Sequence, residues 1–361
     1  MVYISDEFNK KYIKSQLCEG DMLIVQSGHV GECAVVTPKY AGANCHAVII
    51  VSPKSETLDT HYLVQFFYSP QGRRMVDRMK TGNTVQHILA TDIAKLEINL
   101  PNILEQHKIA DFLGSVDAWL DNLRKQKTAL ETYKRGMMQK LFRQEIRFKD
   151  ENGKEYPEWE KYTLGQLYRF VPTNSLSRSD LSHTEGSVYN IHYGDVHTVL
   201  PSHLSLSTRQ LPRIRAEALV SDYERQLCST GDIVLADASE DYNDVGKAME
   251  LVNVSGKQVC GGLHTIVLRP REKDRFHLGF AGHMFKAWDV RKQMMRYATG
   301  AKVLGLSKSS LDKIEVTLPC SREQQKIADF LTSLDQTITA KADEIAKVEQ
   351  WKKGLMQKMF V

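Results

Sequence analysis

The 361-residue sequence has no Gly-rich phosphate loop, no nucleophile elbow and no adenosylmethionine or Asn-Pro-Pro-aromatic methylation signature. These absences argue against a chain that carries its own catalytic site. No apolar run approaches the roughly 18 residues that a membrane span requires, and no signal peptide opens the chain. We therefore expect a cytoplasmic protein that does not contact a membrane.

Metal-binding patterns are also missing. The six cysteines form neither a CxxC pair nor a His/Cys spacing that would frame zinc, so we expect reduced structural thiols. An acidic run at residues 240–244 could contribute to a metal site, but a polar loop is the more ordinary interpretation. His46 and His264, which align with each other at an offset of 218 positions, each lie in an apolar run, where we expect core positions.

The charge balance is nearly even. A formal net charge of +4 and a pI near 8.6 are only mildly basic. Such values do not by themselves predict a nucleic-acid-binding protein, so the local distribution of charge must decide. The length suits two domains, each with its own core.

What the sequence does contain is a long repeat. Residues 100–142 recur as residues 318–360 at a constant offset of 218 positions, without a gap. Both copies share EQ-x-KIADFL-x-S-x-D near the start and K-x-G-x-MQK-x-F near the end. The same offset holds upstream, where Thr81-Gly82 aligns with Thr299-Gly300. A long segment that closes each half of the chain predicts two related modules.

Apolar residues in both copies recur in steps of four and three, the 3.5-residue period of a coiled coil. Each copy predicts a rod of about 60 Å. The alternative is a pair of amphipathic helices packed on their own domains, but two matched copies favour antiparallel pairing with each other. We interpret the interrupting lysines (Lys127, Lys134, Lys341 and Lys352) as register or partner positions. The predicted interface residues are Ile109, Leu113, Val116, Leu120, Leu130, Met137, Ile327, Leu331, Leu334, Ile338, Ile345, Val348 and Leu355.

The stretches before the helical segments read as strands followed by helices, which predicts an α+β fold. Strand candidates are GDMLIVQ, GECAVVTP, CHAVIIV and KLEINLP in the first module, and GDIVLA, AMELVNV, LHTIVLR and KIEVTL in the second. We expect a globular domain at 1–100, a central helical region at 101–145, a second globular domain at 146–317 and a C-terminal helical region at 318–361. The stretch from about 156 to 211 has no counterpart in the first half, so we expect the first domain to be N-terminally incomplete.

Basic residues cluster at matching places in the two modules, just before each Thr-Gly turn. A charge run is usually only a solvated helix face, but this one recurs beside a glycine that permits close backbone approach. Such an element can neutralise phosphates while a neighbouring loop reaches base edges. The predicted DNA-binding residues are Arg73, Arg74, Arg78, Lys80, Gly82, Asn83, Tyr193, Arg213, Arg215, Arg291, Lys292, Arg296, Gly300 and Lys302.

The two helix motifs, together with the joining segment RFKDENGKEYPEWEKYTLGQL, resemble the specificity (S) subunits of type I restriction–modification systems. The resemblance covers essentially the whole chain. It implies two mixed α/β target-recognition domains separated by two long helices, which pair as an antiparallel coiled coil in a pseudo-twofold repeat. Each domain would read half of a bipartite DNA target.

The resemblance also implies partners. The helices would dock two methyltransferase (M) subunits, and restriction/translocase (R) subunits would join through them. S-adenosylmethionine, ATP and Mg2+ would belong to those partners, with no cofactor and no catalytic residue on this chain. Because the first domain lacks a counterpart of YPEWEKYTLGQL, an alternative is an assembly subunit that binds methyltransferase but has lost specific recognition.

Overall fold

The computed structural model describes residues 3–53, 56–82, 85–198 and 200–360. It divides into two compact units. The first comprises Met1–Thr128 with Thr339–Val361, and the second comprises Ala129–Ile338. Each unit contains a mixed sheet-and-helix core and part of both long helices, which confirms the predicted α+β class.

The first unit is built on a small antiparallel sheet in the order β2-β1-β3. Its strands are β1 (Met22–Val25), β2 (Cys33–Val35) and β3 (Val48–Val51). Its helices are α1 (Asp6–Lys11), α2 (Thr60–Tyr68), α3 (Pro70–Met79), α4 (Ala90–Ile93) and the first part of α5 (Ile103–Phe142), with 3-10 turns at Ile13–Ser15 and Pro38–Tyr40.

The second unit contains more strands. They are β4 (Glu160–Thr163), β5 (Tyr168–Val171), β6 (Leu181–Ser182), β7 (Tyr189–Ile191), β8 (His203–Ser205), β9 (Arg213–Ile214), β10 (Ile233–Ala236), β11 (Ala238–Ser239), β12 (Ala248–Asn253), β13 (Val259–Gly261), β14 (Thr265–Pro270), β15 (Leu304–Gly305) and β16 (Glu315–Leu318). Its helices are α6 (Leu164–Leu167), α7 (Tyr193–Thr198), α8 (Phe280–Met284), α9 (Trp288–Tyr297), α10 (Lys308–Leu311) and the first part of α11 (Ser321–Met359), with 3-10 turns at Arg178–Asp180, Ala216–Ala218 and Tyr223–Gln226.

The main sheet of the second unit has the order β5-β14-β10-β12-β8, and a second sheet has the order β13-β7-β9-β6. The central triplet β14-β10-β12 corresponds to β3-β1-β2 of the first unit. Met22 pairs with Val51 as Ile233 pairs with Leu268, and Ile24 pairs with Ile49 as Leu235 pairs with Ile266. The repeat therefore includes the core sheet as well as the helices.

The strand register corrects one detail of the sequence alignment. In this register Ala47, and not His46, is the residue equivalent to His264. Ala47 and His264 both have left-handed backbone, with φ of 60° and 53°. Both histidines are exposed in bends or turns, so the expected core positions are wrong. The apolar runs that contain them begin as strands only at Val48 and Thr265.

The long helices carry the predicted apolar seam. Every predicted interface residue is buried or half-buried. In the first unit, the beginning of α5 packs against the end of α11 through a cluster of Val116, Leu120, Leu123, Ile345 and Val348. In the second unit, the end of α5 lies beside the beginning of α11, since Leu141 shares a core with Ile327 and Leu331. The pairing is antiparallel, as predicted.

Two of the interrupting lysines have a structural role in this pairing. Lys134 Nζ lies 2.5 Å from both carboxylate oxygens of Asp335 in the second unit. In the first unit, Lys352 Nζ lies 2.5 Å from Asp117 Oδ1. Each pair joins the Asp of EQ-x-KIADFL-x-S-x-D to the Lys of the other copy's K-x-G-x-MQK-x-F. The two motifs recur because they bond to each other, and a partly buried polar pair between two helices can fix their register.

A buried glutamine attaches each helix to its own domain. Gln106 donates to the carbonyls of Thr57 and Pro101 at 2.8 Å and accepts from Asp59 N at 3.0 Å. Gln324 likewise donates to Arg275 and Pro319 and accepts from His277 N at 2.9 Å. Side-chain amides can satisfy a donor and an acceptor at once. This requirement explains the shared Gln of the repeated motif.

Candidate nucleic-acid interface

Both Thr-Gly turns form the same closed loop. Thr81 N donates to His87 O at 3.0 Å and receives the return bond at 2.9 Å, while Thr299 and Gly305 exchange bonds of 3.0 and 2.8 Å. Gly82 has φ +97° and Gly300 has φ +140°. A Cβ would lie 2.4 Å from Val85 O at the first position and 1.9 Å from Val303 O at the second, so both positions require glycine.

Both loops contain exposed residues among those that the structure describes. Val85 is 62% exposed and Val303 is 52% exposed. Lys302, between Gly300 and Val303, is also exposed. Asn83, predicted as a contact in the first loop, lies outside the described residues. A closed loop with an exposed tip is suited to enter a groove of DNA.

The basic helices α3 and α9 run directly into these loops, but their first arginines point inward. Arg73 donates to Gly31 O at 3.1 Å and stacks over the Tyr68 ring at 4.5 Å. Arg291 is only 9% exposed and donates to Asn243 O at 2.9 Å. Burial lowers the pKa of Arg291 from its usual value. As a predicted DNA contact, Arg291 is therefore misplaced, because its charge is used to hold a loop of its own domain.

The remaining basic residues of the two helices lie on the surface. Arg74, Arg78, Lys292 and Arg296 are exposed. Lys80 is half-buried and pairs with Asp77 at 2.6 Å. Each unit therefore keeps two exposed cationic side chains on the helix that feeds its Thr-Gly loop.

The two arginines around β9 belong to a different surface of the second unit. Arg213 donates to Gly186 O at 3.2 Å and lies 5.6 Å from the Tyr189 ring centroid. Arg215 pairs with Glu185 at 3.1 Å. Both are half-buried, and both bond to the segment between β6 and β7.

Tyr193, also predicted as a contact, lies at the centre of a cluster that sequence reasoning missed. Its ring lies 4.6 Å from the His192 ring and 5.3 Å from the exposed His264 ring, measured between centroids. Nearby, Arg178 binds Asp195 through bonds of 3.0 and 2.8 Å. Burial is the main cause that lowers the pKa of His192, with the Arg178 charge adding to it.

This Tyr193 cluster adjoins the second Thr-Gly loop. Asp237 accepts from Leu306 N at 2.8 Å, directly after the loop, and its carboxylate lies 3.3 Å from His264 Nδ1. The hydrogen-bond pattern of the first unit is the same, since Gln26 O accepts from Ile88 N. However, Gln26 and Ala47 stand there in place of Asp237 and His264. The second unit thus joins a basic helix, a closed loop and an aromatic cluster, and the first unit has the helix and the loop.

The sequence profile of the type I restriction modification DNA specificity domain matches residues 3–132 and 157–350. The chain belongs to this family. The resemblance drawn from the motifs is confirmed, and membership implies DNA sequence recognition by a non-catalytic specificity subunit.

Two relatives from Methanocaldococcus jannaschii are similar over nearly the whole chain. A protein assigned as the type I restriction enzyme MjaX specificity subunit is 24% identical over 373 residues, covering 98% of this chain and 80% of its own length. The type I restriction enzyme MjaVIII specificity subunit is 23% identical over 379 residues, covering 98% of this chain and 82% of its own length.

Solved structures agree with the fold. The crystal structure of the type I restriction–modification system S subunit from M. genitalium gives a TM-score of 0.58 at 18% identity, covering 97% of this chain and 85% of that one. A chain from a study of complex assembly and conformational transition of the type I system also gives 0.58 at 18% identity, covering 96% and 82%.

One group of side chains in this specificity subunit has the composition of a metal site. Potential ligand atoms of His203, His283 and Asp335 lie within 4.8 Å of one another. Lys134 already bonds both oxygens of Asp335, and burial lowers the pKa of His283 to about 2. In the first unit, Gln65 takes the place of His283 and donates to Asp117 at 2.9 Å. The geometry therefore indicates a repeated helix-pairing contact.

Among the described residues, no helix combines the length and apolarity needed to cross a membrane.

Proposed function

We propose that the chain reads a bipartite double-stranded DNA target, one half with each unit, and that its paired helices set the spacing between the halves. The observation that carries this proposal is the duplicated pair of a basic helix and a closed Thr-Gly loop, held by the same hydrogen bonds in both units. Exposed Lys and Arg would neutralise phosphates, and the loops would reach base edges.

The paired helices also suit a scaffold. They expose four large aromatic residues, which are 41–51% exposed: Phe112, Trp119, Tyr133 and Trp351. Aromatic residues of this kind are frequent anchors of protein interfaces. We place two methyltransferase subunits on this surface and the restriction subunits on the methyltransferases. S-adenosylmethionine, ATP and Mg2+ belong to those partners in this proposal.

The test uses the purified chain with its methyltransferase subunit and a library of DNA duplexes. We expect a specific split sequence to be protected, with an affinity that falls as salt rises. The triple substitution Lys292→Ala, Arg296→Ala and Lys302→Ala should reduce the slope of log affinity against log salt by about 3, roughly one per lost phosphate contact.

The matched control is Lys273→Ala, which removes a charge from an exposed loop away from α9. It should leave the slope unchanged. Equal slopes for the triple variant and the wild type would exclude α9 and its loop as the contact element.

The described residues of the first unit hold no counterpart of the Tyr193 cluster. This difference favours a second candidate, an assembly subunit without specific bipartite recognition. That subunit would bind methyltransferase through the helices while showing no sequence preference. Competition between specific and random duplexes in a gel shift separates the two candidates.

A further inference from the structure

The core sheet of the first unit has one covered face and one uncovered face. Met22, Ile24 and Ile49 on the inner face are 0–6% exposed. On the outer face, Leu23 and Ile50 are only half-buried and Ala34 is exposed. A groove of about 1090 Å3 runs along this outer face, lined by Tyr3, Ile4, Phe8, Tyr12, Leu17, Leu23, Ala34 and Asn44 among others.

The same face is completely covered in the second unit. Val234, Met249 and Val267, which occupy the positions of Leu23, Ala34 and Ile50, are 0–1% exposed. The residues that pack on them are Ile191, Val196, Leu204 and Leu206, with others of the same cluster. All four belong to the stretch that has no counterpart in the first half.

The strand edges differ in the same way. In the second unit β14 pairs with β5, β12 pairs with β8, and β13 pairs with β7. In the first unit, the described residues place no strand on the outer edges of β3 and β2. Nor do the described residues place a strand on the side of residues 43–45 where β7 pairs with the corresponding β13. Asn9 of α1 lies there instead and donates to Gly42 O at 3.3 Å. Unpaired edges next to an apolar face are templates for an added strand.

A third difference lies at the start of the long helix. Leu318 of β16, which pairs with β4, is 4% exposed and belongs to the same core cluster as Trp159, whereas its counterpart Leu100 is 42% exposed. Glu323 is fully buried, paired with Arg147 at 2.8 Å and bonded by Trp159 Nε1 at 3.1 Å. Its counterpart Glu105 is exposed.

We propose that this combined surface of the first unit binds a polypeptide segment from outside the 361-residue chain, with the chemistry of residues 157–206. The segment would bring an indole N–H to Glu105 and a strand to each outer edge of the sheet. It would also bring a parallel strand to residues 43–45, where it would replace the bond from Asn9 to Gly42 O. Its apolar side chains would fill the groove. This is strand addition to exposed sheet edges, with pockets that select alternate side chains.

The surface fits this occupant better than a second copy of the chain. The apolar face, the open edges and Glu105 all correspond to contacts that one continuous segment makes in the second unit. In a second copy that segment is engaged, since β4 pairs with β16 and Trp159 is 9% exposed.

Hydrogen–deuterium exchange of the full chain tests the proposal, with a synthetic polypeptide of residues 157–206 as the probe. At a probe concentration ten times Kd, we expect amide exchange to slow about tenfold in residues 22–25, 33–36, 43–51 and 97–100. Ala34→Asp in the chain should abolish this protection, because it puts a charge on the apolar face. Lys14→Asp, a charge change outside the groove, should retain it. A Trp159→Ala probe should bind more weakly.

Three results would overturn the proposal. Protection confined to residues 160–318 would mean that the probe exchanges with the second unit's own strands. Protection of the first unit without probe, rising with chain concentration, would make a second copy the occupant. No protection at all would show that the face binds no such segment. The experiment contains no DNA, so its failure leaves the proposed recognition function to its own test.

Discussion

The two units share a core sheet, a basic helix, a closed loop and a helix-pairing contact, but they bury similar side chains to different extents. In the second unit, layers from residues 157–206 cover the outer face of the sheet and the start of the long helix. In the first unit, Phe8, Tyr12 and Leu100 are 42–47% exposed. Burial here depends on the covering segment and not on the repeated sequence itself.

The difference teaches that a shared motif need not have a shared energetic role. Gln106 and Gln324 make the same three bonds in both units, because all their partners lie within the repeated part. Glu105 and Glu323 stand one residue earlier in the same motif, yet only Glu323 has a buried partner. Substitutions made at equivalent positions of the two units distinguish stability that comes from the repeated part from stability that comes from the covering segment.

The largest effect is expected from Glu323→Ala compared with Glu105→Ala. Removing Glu323 takes the buried carboxylate away from Arg147, which is 13% exposed, and from the Trp159 indole. Arg147 then keeps the carbonyls of Tyr156 and Pro157 and the exposed Glu158. We expect a loss of about 3–5 kcal/mol in the free energy of unfolding of the second unit. Glu105→Ala should change stability by less than about 0.5 kcal/mol. Chemical denaturation, with exchange rates assigned to each unit, measures both. Similar losses for the two variants would contradict the proposed difference.

The next effect concerns pH and is expected only in the second unit. Glu250 is 1% exposed, and burial raises its pKa to about 7, although the amides of Gly279 and Gly282 oppose the shift. A carboxyl whose pKa is raised on folding stabilises the protonated native state. Its contribution to stability is therefore present below about pH 4.5 and is lost as pH rises through 7.

Glu250→Gln should remove this pH dependence. Between the two pH values, it amounts to at most about 3 kcal/mol in the free energy of unfolding. His203 Nε2 lies 4.0 Å from Glu250 Oε2. Burial lowers the pKa of His203, so its contribution to stability rises with pH, opposite to that of Glu250. The difference between the wild type and the variant isolates Glu250. The first unit has Val35 at this position and should serve as an internal control. An unchanged pH profile would show that Glu250 stays ionised across the range.

A smaller and equal effect is expected from the helix-pairing lysines. Lys134→Met and Lys352→Met each leave one partly exposed aspartate without its cross-helix partner. We expect each to cost about 1–2 kcal/mol, less than a fully buried pair because water reaches Asp335 and Asp117. Differential denaturation compares the two variants. A large difference between them would show that only one contact fixes the register.

The repeated features were predictable from the sequence, because a constant offset identifies them without knowledge of contacts. The helical segments and both Thr-Gly loops were found in this way, and the core strands were found from their short apolar runs. The strand predicted in KLEINLP is wrong, since residues 97–100 have no partner like the one β4 gives β16. A strand is a property of two segments, and one segment alone cannot show it.

The candidate site was predictable only in part, for a related reason. Helix composition located α9, but the inward direction of Arg291 depends on Asn243, which comes from a distant loop. The Tyr193 cluster unites residues from four separate segments, and no local pattern marks their meeting. The alignment with His46 singled out His264 in the sequence. The apolar residues around His264 nevertheless led to the wrong prediction of a buried strand position.

The smallest expected effect, on the salt dependence of DNA binding, separates the roles of the two units most clearly. Lys292 and Arg74 occupy the same repeat position on α9 and α3, and both are exposed. If both units contact DNA, Lys292→Ala and Arg74→Ala should each lower the salt slope of binding by about 1. If the first unit acts only as a scaffold, Arg74→Ala should have no effect, while Lys292→Ala keeps its own. Titration of fluorescent duplexes across a salt series distinguishes the two results. An effect of Arg74→Ala alone would reverse the assignment and make the first unit the reader.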